Sequence, residues 1–249
     1  MDKGVLLLSG ASGALAQRFI PLAQGQGWQI LALSRKARER SWPDGVRVQE
    51  LDCADPLAVE AFFRQLQEEG IVPAALAHLA GSFLLAGLAQ TSTEQYRQCL
   101  AANLDSAFFL LKGFVHARRR HGGGGSAVFV STVVAGIGVA FHEAVAAAKG
   151  GLEALVRAAA ATHARDGIRI NAVRAGLMDS EAASHLLRNP QSRELAARQY
   201  PLGSLISPEE VARTLLFFLD PLQSQITGQI LAVDGGFTAI RPLLTGSSQ

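Results

Sequence analysis

A glycine-containing turn near the start of the chain has the residue types that bind phosphate. It reads Ser9-Gly10-Ala11-Ser12-Gly13-Ala14-Leu15-Ala16 and lies between a short apolar run and an amphipathic segment. Glycines let the backbone turn sharply and approach a pyrophosphate, and the first N–H groups of a following helix can bind its oxygens. An ordinary strand–helix turn is the alternative. We predict a dinucleotide site that includes Gly10, Ser12, Gly13, Ala14 and Leu15.

The end of the second apolar run predicts which dinucleotide is bound. Ser34, Arg35 and Lys36 stand where a site for NAD commonly has a carboxylate that accepts hydrogen bonds from the ribose 2′-OH. A hydroxyl and two cations suit a 2′-phosphate, so the sequence predicts NADP(H) in preference to NAD(H). A solvated basic turn is the alternative. Asp52, after the third run, is a candidate for the adenine edge or a simple turn aspartate.

Seven short apolar runs are predicted as the strands that position these residues. Most lack alternation, which is typical of parallel strands covered by helices on both faces. Helix-period segments separate them, and a Ser207-Pro208 start indicates a late helix. We predict an α/β fold with a three-layer, doubly wound (Rossmann) parallel sheet, in one domain over 1–249 with a substrate lid near 177–205. The runs are Val5–Leu8, Gln29–Leu33, Val46–Glu50, Ala74–Leu79, Ala127–Val130, Ile168–Val173 and Gln229–Val233.

Composition excludes several classes of protein. Of 249 residues, 49% are apolar and 18% are charged, which provides a large core and excludes wholesale disorder. A net charge of +2 without a basic stripe argues against a nucleic-acid partner. No run approaches the ~20 apolar residues of a membrane span. Cys53 and Cys99 are too few for a disulfide framework or a metal site, so a cytoplasmic protein is expected.

Segments along the chain resemble the motifs of one family. They are Gly10–Ala16, His78–Gly81, Asn103, Asn171–Gly176 and Val233–Gly236. In this order they resemble the short-chain dehydrogenase/reductase family over almost the whole chain, although two asparagines and a proline of its motifs are replaced. The resemblance implies an oxidoreductase acting on a small carbonyl or alcohol. It implies cofactor contacts from Ala80, Gly81, Gly176 and Ser180, and a proton-relay water held by Asn103.

The catalytic Ser-Tyr-Lys arrangement of that family is incomplete in this chain. Lys149 matches the lysine that holds the nicotinamide ribose and lowers the pKa of the tyrosine, and Thr132 stands where a serine orients the substrate. The tyrosine position is Val145, and Tyr96 and Tyr200 are the two tyrosines of the chain. Valine cannot transfer a proton, and a positioned acid or base contributes ~10²–10⁴-fold in rate.

Two interpretations of function therefore stay open. One is an oxidoreductase whose proton transfer is rerouted through His142 or through water held by Thr132; a solvated loop is the alternative role of His142. The other is an inactive, cofactor-binding protein that assists or regulates a partner subunit. A lyase or isomerase is disfavoured because the glycine turn is intact. Tyr200 is a weaker candidate acid, and Tyr96 is interpreted as core or interface.

Two helical segments predict self-association. Those around Tyr96–Val115 and Ala144–Ala161 are apolar on more than one face, which is more apolar surface than one sheet can cover. A homodimer or homotetramer is expected.

Overall fold

A computed structural model of the protein describes residues 2–37, 41–179, 183–184 and 186–242. Its strands form one parallel sheet in the order β3-β2-β1-β4-β5-β6-β7. All seven predicted strands are present, and the fifth is longer than predicted at both ends. The strands are β1 Val5–Ser9, β2 Gln29–Ser34, β3 Arg47–Glu50, β4 Ala75–His78, β5 Gly125–Thr132, β6 Ile168–Ala175 and β7 Ile230–Val233.

Seven α-helices of the described residues connect these strands, two of them between β4 and β5 and two between β6 and β7. Ser207 caps the last of them in a capping box with Glu210, as its sequence predicts. A π-helical turn, Ala101–Asp105, joins the third helix to the fourth without a break, and a short 3₁₀ turn, Val133–Ala135, follows β5. The helices are α1 Ala14–Gly25, α2 Pro56–Glu68, α3 Thr93–Leu100, α4 Ser106–Arg120, α5 Glu143–His163, α6 Pro190–Ala197 and α7 Pro208–Leu219.

Helices cover both faces of the sheet. Leu6 and Leu8 of β1 pack in a core with α1 and α7, whereas Leu7 packs in a second core with α2, α4 and α5. Successive side chains of a strand point to opposite faces, so an uninterrupted apolar run must be buried on both. The predicted three-layer, doubly wound fold is therefore confirmed.

The strand order reverses between β1 and β4, which lie side by side at the centre of the sheet. The chain runs outward from β1 to β3 on one side and from β4 to β7 on the other. Ligands of such sheets bind at the carboxyl ends of the strands where the order reverses. Among the described residues, no helix is long and apolar enough to cross a membrane, and no cluster of His, Cys, Asp or Glu could hold a metal.

Candidate functional site

A cleft of about 670 Å³ opens at the carboxyl ends of β1, β2 and β4. The glycine turn, the end of β2 and the segment after β4 converge there, although they are distant in sequence. Ala14 and Leu15 begin α1 beside it, and Ser180 lies outside the described residues. The cleft is lined by eight of the predicted cofactor residues: Gly10, Ser12, Gly13, Ser34, Arg35, Asp52, Ala80 and Gly81.

Gly10 has a backbone that only glycine adopts without strain. Its φ is +68°, and a Cβ at this position would lie 2.5 Å from the Ala80 nitrogen. The Gly13 N–H donates to the Gly10 carbonyl at 3.0 Å, and Gly13 precedes α1 without a side-chain cap. The first N–H groups of α1 are therefore available to a ligand. This geometry suits the pyrophosphate of a dinucleotide.

Arg35 is exposed at the outer end of the cleft, while the Ser34 side chain is buried. The pKa of the Cys53 thiol is raised to about 12 by burial and by the charge of Asp52, while the charge of Arg35 acts in the opposite direction. Asp52 accepts a hydrogen bond from the Ala54 N–H at 3.0 Å, as a turn aspartate does. Arg35, Asp52 and Cys53 thus line the same part of the cleft, where the adenosine end of a dinucleotide would bind.

Lys149 lies at the inner end of the cleft, on α5. Its side chain is buried, and Nζ donates to the Val130 carbonyl at 2.8 Å. Burial lowers the pKa of Lys149 to about 8. A Cβ at Gly81 would lie 2.8 Å from Asn103 Oδ1 and 3.3 Å from Lys149 Nζ. The structure therefore brings Gly81, Asn103 and Lys149 together, as the sequence predicts.

The Asn103 side chain is buried and fully engaged with protein groups. Its Oδ1 accepts from the Ser82 N–H at 3.2 Å, and its Nδ2 donates to Ser82 Oγ and to the Cys99 carbonyl, both at 3.0 Å. Asn103 lies in the π-helical turn, a feature common at functional sites. Its side chain fixes the segment after Gly81, while a relay water at Asn103 stays a prediction.

Val145 is buried one helical turn before Lys149. It packs in an apolar cluster that includes Cys99, Val133 and Val134. Thr132, partly buried at the end of β5, immediately precedes this cluster. The side chain four residues before Lys149 is thus an aliphatic contact within this cluster, and its correspondence to the catalytic tyrosine stays a prediction.

Comparisons with known proteins agree with this geometry. The chain superposes with a TM-score of 0.86 on a solved oxidoreductase of the short-chain dehydrogenase/reductase family from Burkholderia thailandensis, at 28% identity over 95% of this chain and 93% of that one. The family model described as Enoyl-(Acyl carrier protein) reductase matches residues 11–238. The chain belongs to the short-chain dehydrogenase/reductase family.

The relatives align with this short-chain dehydrogenase/reductase over different fractions of its length. A tropinone reductase homolog from Arabidopsis thaliana is 36% identical over 59% of this chain, which spans about half (55%) of that protein. Galactitol 2-dehydrogenase (L-tagatose-forming) from Cereibacter sphaeroides is 29% identical over 96% of both chains. Inactive 2-(S)-hydroxypropyl-CoM dehydrogenase 2 from Xanthobacter autotrophicus is 33% identical over 67% of this chain and 76% of that protein.

His142 precedes α5 in this short-chain dehydrogenase/reductase and is partly exposed. Its Nδ1 lies 2.7 Å from the Ala140 carbonyl, so Nδ1 carries the hydrogen and Nε2 is the site that can exchange a proton. Phe141, next to it, has a φ of +64°, the one positive φ of a described non-glycine residue. Such strain is frequent at functional sites. This placement is compatible with either predicted role of His142.

Gly176 follows β6 and packs against Tyr200. A Cβ at Gly176 would lie 2.8 Å from Tyr200 Cε1, and the buried Tyr200 hydroxyl accepts from the Leu177 N–H at 2.6 Å. Tyr200 therefore supports the backbone beside Gly176, and burial raises the pKa of its phenol. Tyr96 is 40% exposed, so its interpretation as a core residue is wrong; interface stays a prediction.

His78 is a site residue whose role sequence reasoning missed. It is fully buried between two serine hydroxyls: Ser9 Oγ lies 2.6 Å from Nδ1, and Ser106 Oγ lies 3.3 Å from Nε2. Ser106 Oγ donates to the Ala102 carbonyl, so Nε2–H donates to Ser106 and Nδ1 accepts from Ser9. Burial, aided by the charge of Lys149, lowers the pKa of His78 to about 3. A neutral imidazole thus joins β1, β4 and α4 beneath the cleft.

A second missed group is a buried carboxylate on α5. Glu153 lies one turn after Lys149, accepts from Ser131 Oγ at 2.7 Å, and forms a two-point pair with Arg174 at 2.9 and 2.5 Å. Ser131 directly precedes Thr132, and Gly136 packs so closely on the Arg174 guanidinium that a Cβ would lie 2.5 Å from it. The pair therefore fixes the loop that follows Thr132. A charged residue four after Lys149, on the side of the helix that carries the apolar Leu152 and Val156, is the sequence signal that could have revealed it.

The neutral state of His78 predicts an acid-sensitive fold. Because the folded pKa lies below the ordinary value near 6.5, the unfolded chain binds the extra proton, and stability falls as pH drops below about 6.5. Between pH 7 and pH 5 we expect His78 to account for a loss of about 2 kcal/mol in the free energy of unfolding. Urea unfolding at both pH values should show this loss in the wild type and in His116→Gln, an exposed control. An equal loss in His78→Asn would contradict the assignment.

Proposed function

We propose that the protein is an oxidoreductase that binds NADP(H) and interconverts a small alcohol and its carbonyl compound. The observation that carries the proposal is a single cleft running from the Arg35 guanidinium, past the glycine turn, to Gly81 and the adjoining Lys149 ammonium. Along the cleft, the exposed cation, the phosphate-binding turn and the buried cation follow one another in the order of the 2′-phosphate, the pyrophosphate and the nicotinamide ribose of NADP(H). The galactitol dehydrogenase, aligned over 96% of both chains, supports an alcohol or carbonyl substrate.

The residues present fit this cofactor. Bound NADP(H) would accept or supply the hydride. Ser12, Gly13 and the first turn of α1 would hold its pyrophosphate, Arg35 its 2′-phosphate, and Lys149 its nicotinamide ribose. Lys149 loses its charge as the pH rises through about 8, so its hold on the ribose should weaken above that pH.

The proton must come from a group other than residue 145. His142 exposes an imidazole Nε2 at the start of α5, and Thr132 offers a hydroxyl that can orient water or a carbonyl oxygen. We propose that one of these routes supplies the proton in carbonyl reduction and removes it in alcohol oxidation. Each is slower than a phenol held beside Lys149, because neither Thr132 nor a loop histidine is a preorganised acid.

An inactive, cofactor-binding protein that assists or regulates a partner subunit is the second candidate. The observation that favours it is the burial of Val145 among Cys99, Val133 and Val134, which puts a fully apolar contact at the reacting position. The Xanthobacter relative, whose name describes it as inactive, supports the same alternative. Cofactor binding is common to both candidates, whereas turnover separates them.

Assembly and location stay predictions. Phe108 and Tyr96 are 48% and 40% exposed on α4 and α3, which supports the expected homodimer or homotetramer. Such apolar side chains favour a contact with a second copy. The expected cytoplasmic location rests on the sequence alone.

Arg35→Asp tests the cofactor assignment. If Arg35 pairs with the 2′-phosphate, the variant should lose about 10- to 150-fold in NADPH affinity, because charge-assisted hydrogen bonds contribute ~1.5–3 kcal/mol. NADH affinity should change little or rise. Calorimetric titration with both cofactors measures this, with Arg64→Asp, an exposed arginine of α2, as the matched control. Equal wild-type affinities for NADPH and NADH, unchanged in Arg35→Asp, would contradict the preference.

A further inference from the structure

A second cavity, of about 410 Å³, lies at the amino ends of the strands, opposite the carboxyl ends where the cofactor cleft opens. It is formed where β4, β5 and β6 begin, because all the strands of a parallel sheet start at the same end of it. Lys3, Trp28, Arg118 and Arg169 contribute to its walls. Its volume is within the range of small-molecule sites. None of its lining residues lines the cofactor cleft.

The described lining of this basal cavity carries three cations and no carboxylate. Arg118 donates to the carbonyls of Gly123 and Gly124 at 2.7 and 2.8 Å, and Arg169 donates to those of Phe218 and Asp220 at 2.8 and 3.0 Å. Burial lowers the pKa of both guanidinium groups, although the charge of Asp220 raises that of Arg169. Carbonyl oxygens satisfy N–H groups but do not neutralise a charge. Asp220 offsets part of the charge of Arg169, and the lining as a whole keeps an excess of positive charge.

Trp28 supplies a separate observation that points to a ligand. Its side chain is 5% exposed, and its indole N–H is buried with no hydrogen-bond acceptor in the described part of the chain. Lys3 Nζ lies 5.8 Å from the centroid of the Trp28 ring. Buried indole N–H groups normally have a partner, since leaving one unpaired is unfavourable. The residues that line the cavity thus include one with an unpaired donor and three cations without a carboxylate.

We propose that the basal cavity binds a small organic anion that carries a carboxylate or a phosphate group. Guanidinium groups bind both anions with parallel N–H···O bonds, and each arginine has five N–H donors, only some of which the carbonyls use. The oxygens of the anion would neutralise Lys3, Arg118 and Arg169, and one of them can accept from Trp28. Since this cavity and the cofactor cleft share no residue, the anion and the dinucleotide should bind without competing.

The two tryptophans of the chain make the proposal testable. In a Trp42→Phe background Trp28 is the one remaining tryptophan, so its fluorescence reports on the cavity. Titration with inorganic phosphate and with succinate, at an ionic strength held constant with chloride, should give a saturable change with at least one anion. Lys3→Gln should weaken that binding by about tenfold, the effect of losing one charged hydrogen-bond donor. Lys112→Gln, an exposed lysine on α4, should leave the affinity unchanged.

Further measurements distinguish anion binding in this cavity from anion binding elsewhere on the protein. Anion binding should raise the thermal unfolding midpoint of the wild type, and Trp28→Phe, which keeps an aromatic ring but removes the indole N–H, should reduce that shift. Arg35→Asp and saturating NADPH should leave the Trp28 fluorescence response intact. An unsaturable response, equal effects of Lys3→Gln and Lys112→Gln, or displacement by NADPH would overturn the proposal.

Discussion

Val145→Tyr is expected to raise the rate of carbonyl reduction with NADPH by ~10²–10⁴-fold, the contribution of a positioned acid. The new phenol would stand one helical turn before Lys149, whose buried ammonium lies beside Gly81. That cation would favour the phenolate and so lower the pKa of the phenol. Thr132, at the end of β5, would orient the substrate oxygen. The larger ring must displace part of the cluster around Cys99, at a cost of about 1–3 kcal/mol in stability.

Val145→Phe is the matched control for this substitution. It adds nearly the same volume without the hydroxyl, so it should destabilise the protein similarly and leave the rate at the wild-type level. The measurement is NADPH oxidation with a panel of ketones and aldehydes for all three proteins. If Val145→Tyr and Val145→Phe behave alike while both bind NADPH, the pocket is not arranged for hydride transfer and the inactive, partner-assisting candidate is favoured.

The same assay with His142→Ala tests the rerouted proton. Loss of wild-type turnover in this variant, with NADPH affinity unchanged, would identify the imidazole as the acid. We expect Val145→Tyr to remove the dependence on His142, because the phenol then supplies the proton. Robust wild-type turnover that His142→Ala does not change would contradict both the impaired site and the histidine route.

Glu153→Gln is expected to lower the free energy of unfolding by about 3–5 kcal/mol, the usual effect of removing one partner of a buried ion pair. The carboxylate side chain is 4% exposed, and Arg174, which is 21% exposed, would lose its direct counter-ion and keep the charge of Asp234 as a partial offset to its own. Ser131 Oγ would also lose a charged acceptor. The loop that contains Gly136 rests on the Arg174 guanidinium, so we expect substrate KM to rise as well.

Glu60→Gln is the control for this prediction, since Glu60 pairs with Lys112 at 2.9 Å with both side chains half-exposed. Exposed pairs contribute ~0–1 kcal/mol. Replacing the whole buried pair, in Glu153→Leu with Arg174→Met, should recover much of the stability lost in Glu153→Gln. Urea unfolding of these proteins measures the differences. Similar decreases in the free energy of unfolding for Glu60→Gln and Glu153→Gln would show that the buried pair stabilises the protein no more than the exposed pair does.

The fold was predictable because its signal is local. An uninterrupted run such as that in β1 is apolar at adjacent positions, which a strand buried on both faces requires and an exposed strand does not tolerate. The start of α7 was likewise predictable, since Ser207, Pro208 and Glu210 provide a cap, a fixed φ and a capping box within four residues. The strand and the helix start depend on residues that are neighbours in the sequence, so both can be predicted without knowledge of tertiary contacts.

The site was predictable only where a motif is contiguous. The glycine turn and the Val145–Lys149 spacing are of this kind. His78 is different, because its two partners are 69 and 28 residues away in sequence, and only the pairing of β1 with β4 brings Ser9 beside it. Glu153 meets Ser131 and Arg174 from two strands for the same reason. Buried polar networks depend on tertiary contacts that no periodicity encodes.

The π-helical turn couples the number of residues in Ala101–Asp105 to the position of Asn103 in the site. Thr93–Arg120 forms one continuous helical segment. A π-helical turn contains about one residue more than an α-helical turn of the same length. Deleting one codon within Ala101–Asp105 would restore an uninterrupted α-helix and leave the flanking helical turns in register, so Leu110 and Phe114 would stay in the core. The residues of the turn itself would shift, and Asn103 would lose its present hydrogen bonds to Ser82 and Cys99. Descendants of this gene should therefore tolerate substitutions in the turn more readily than changes in its length.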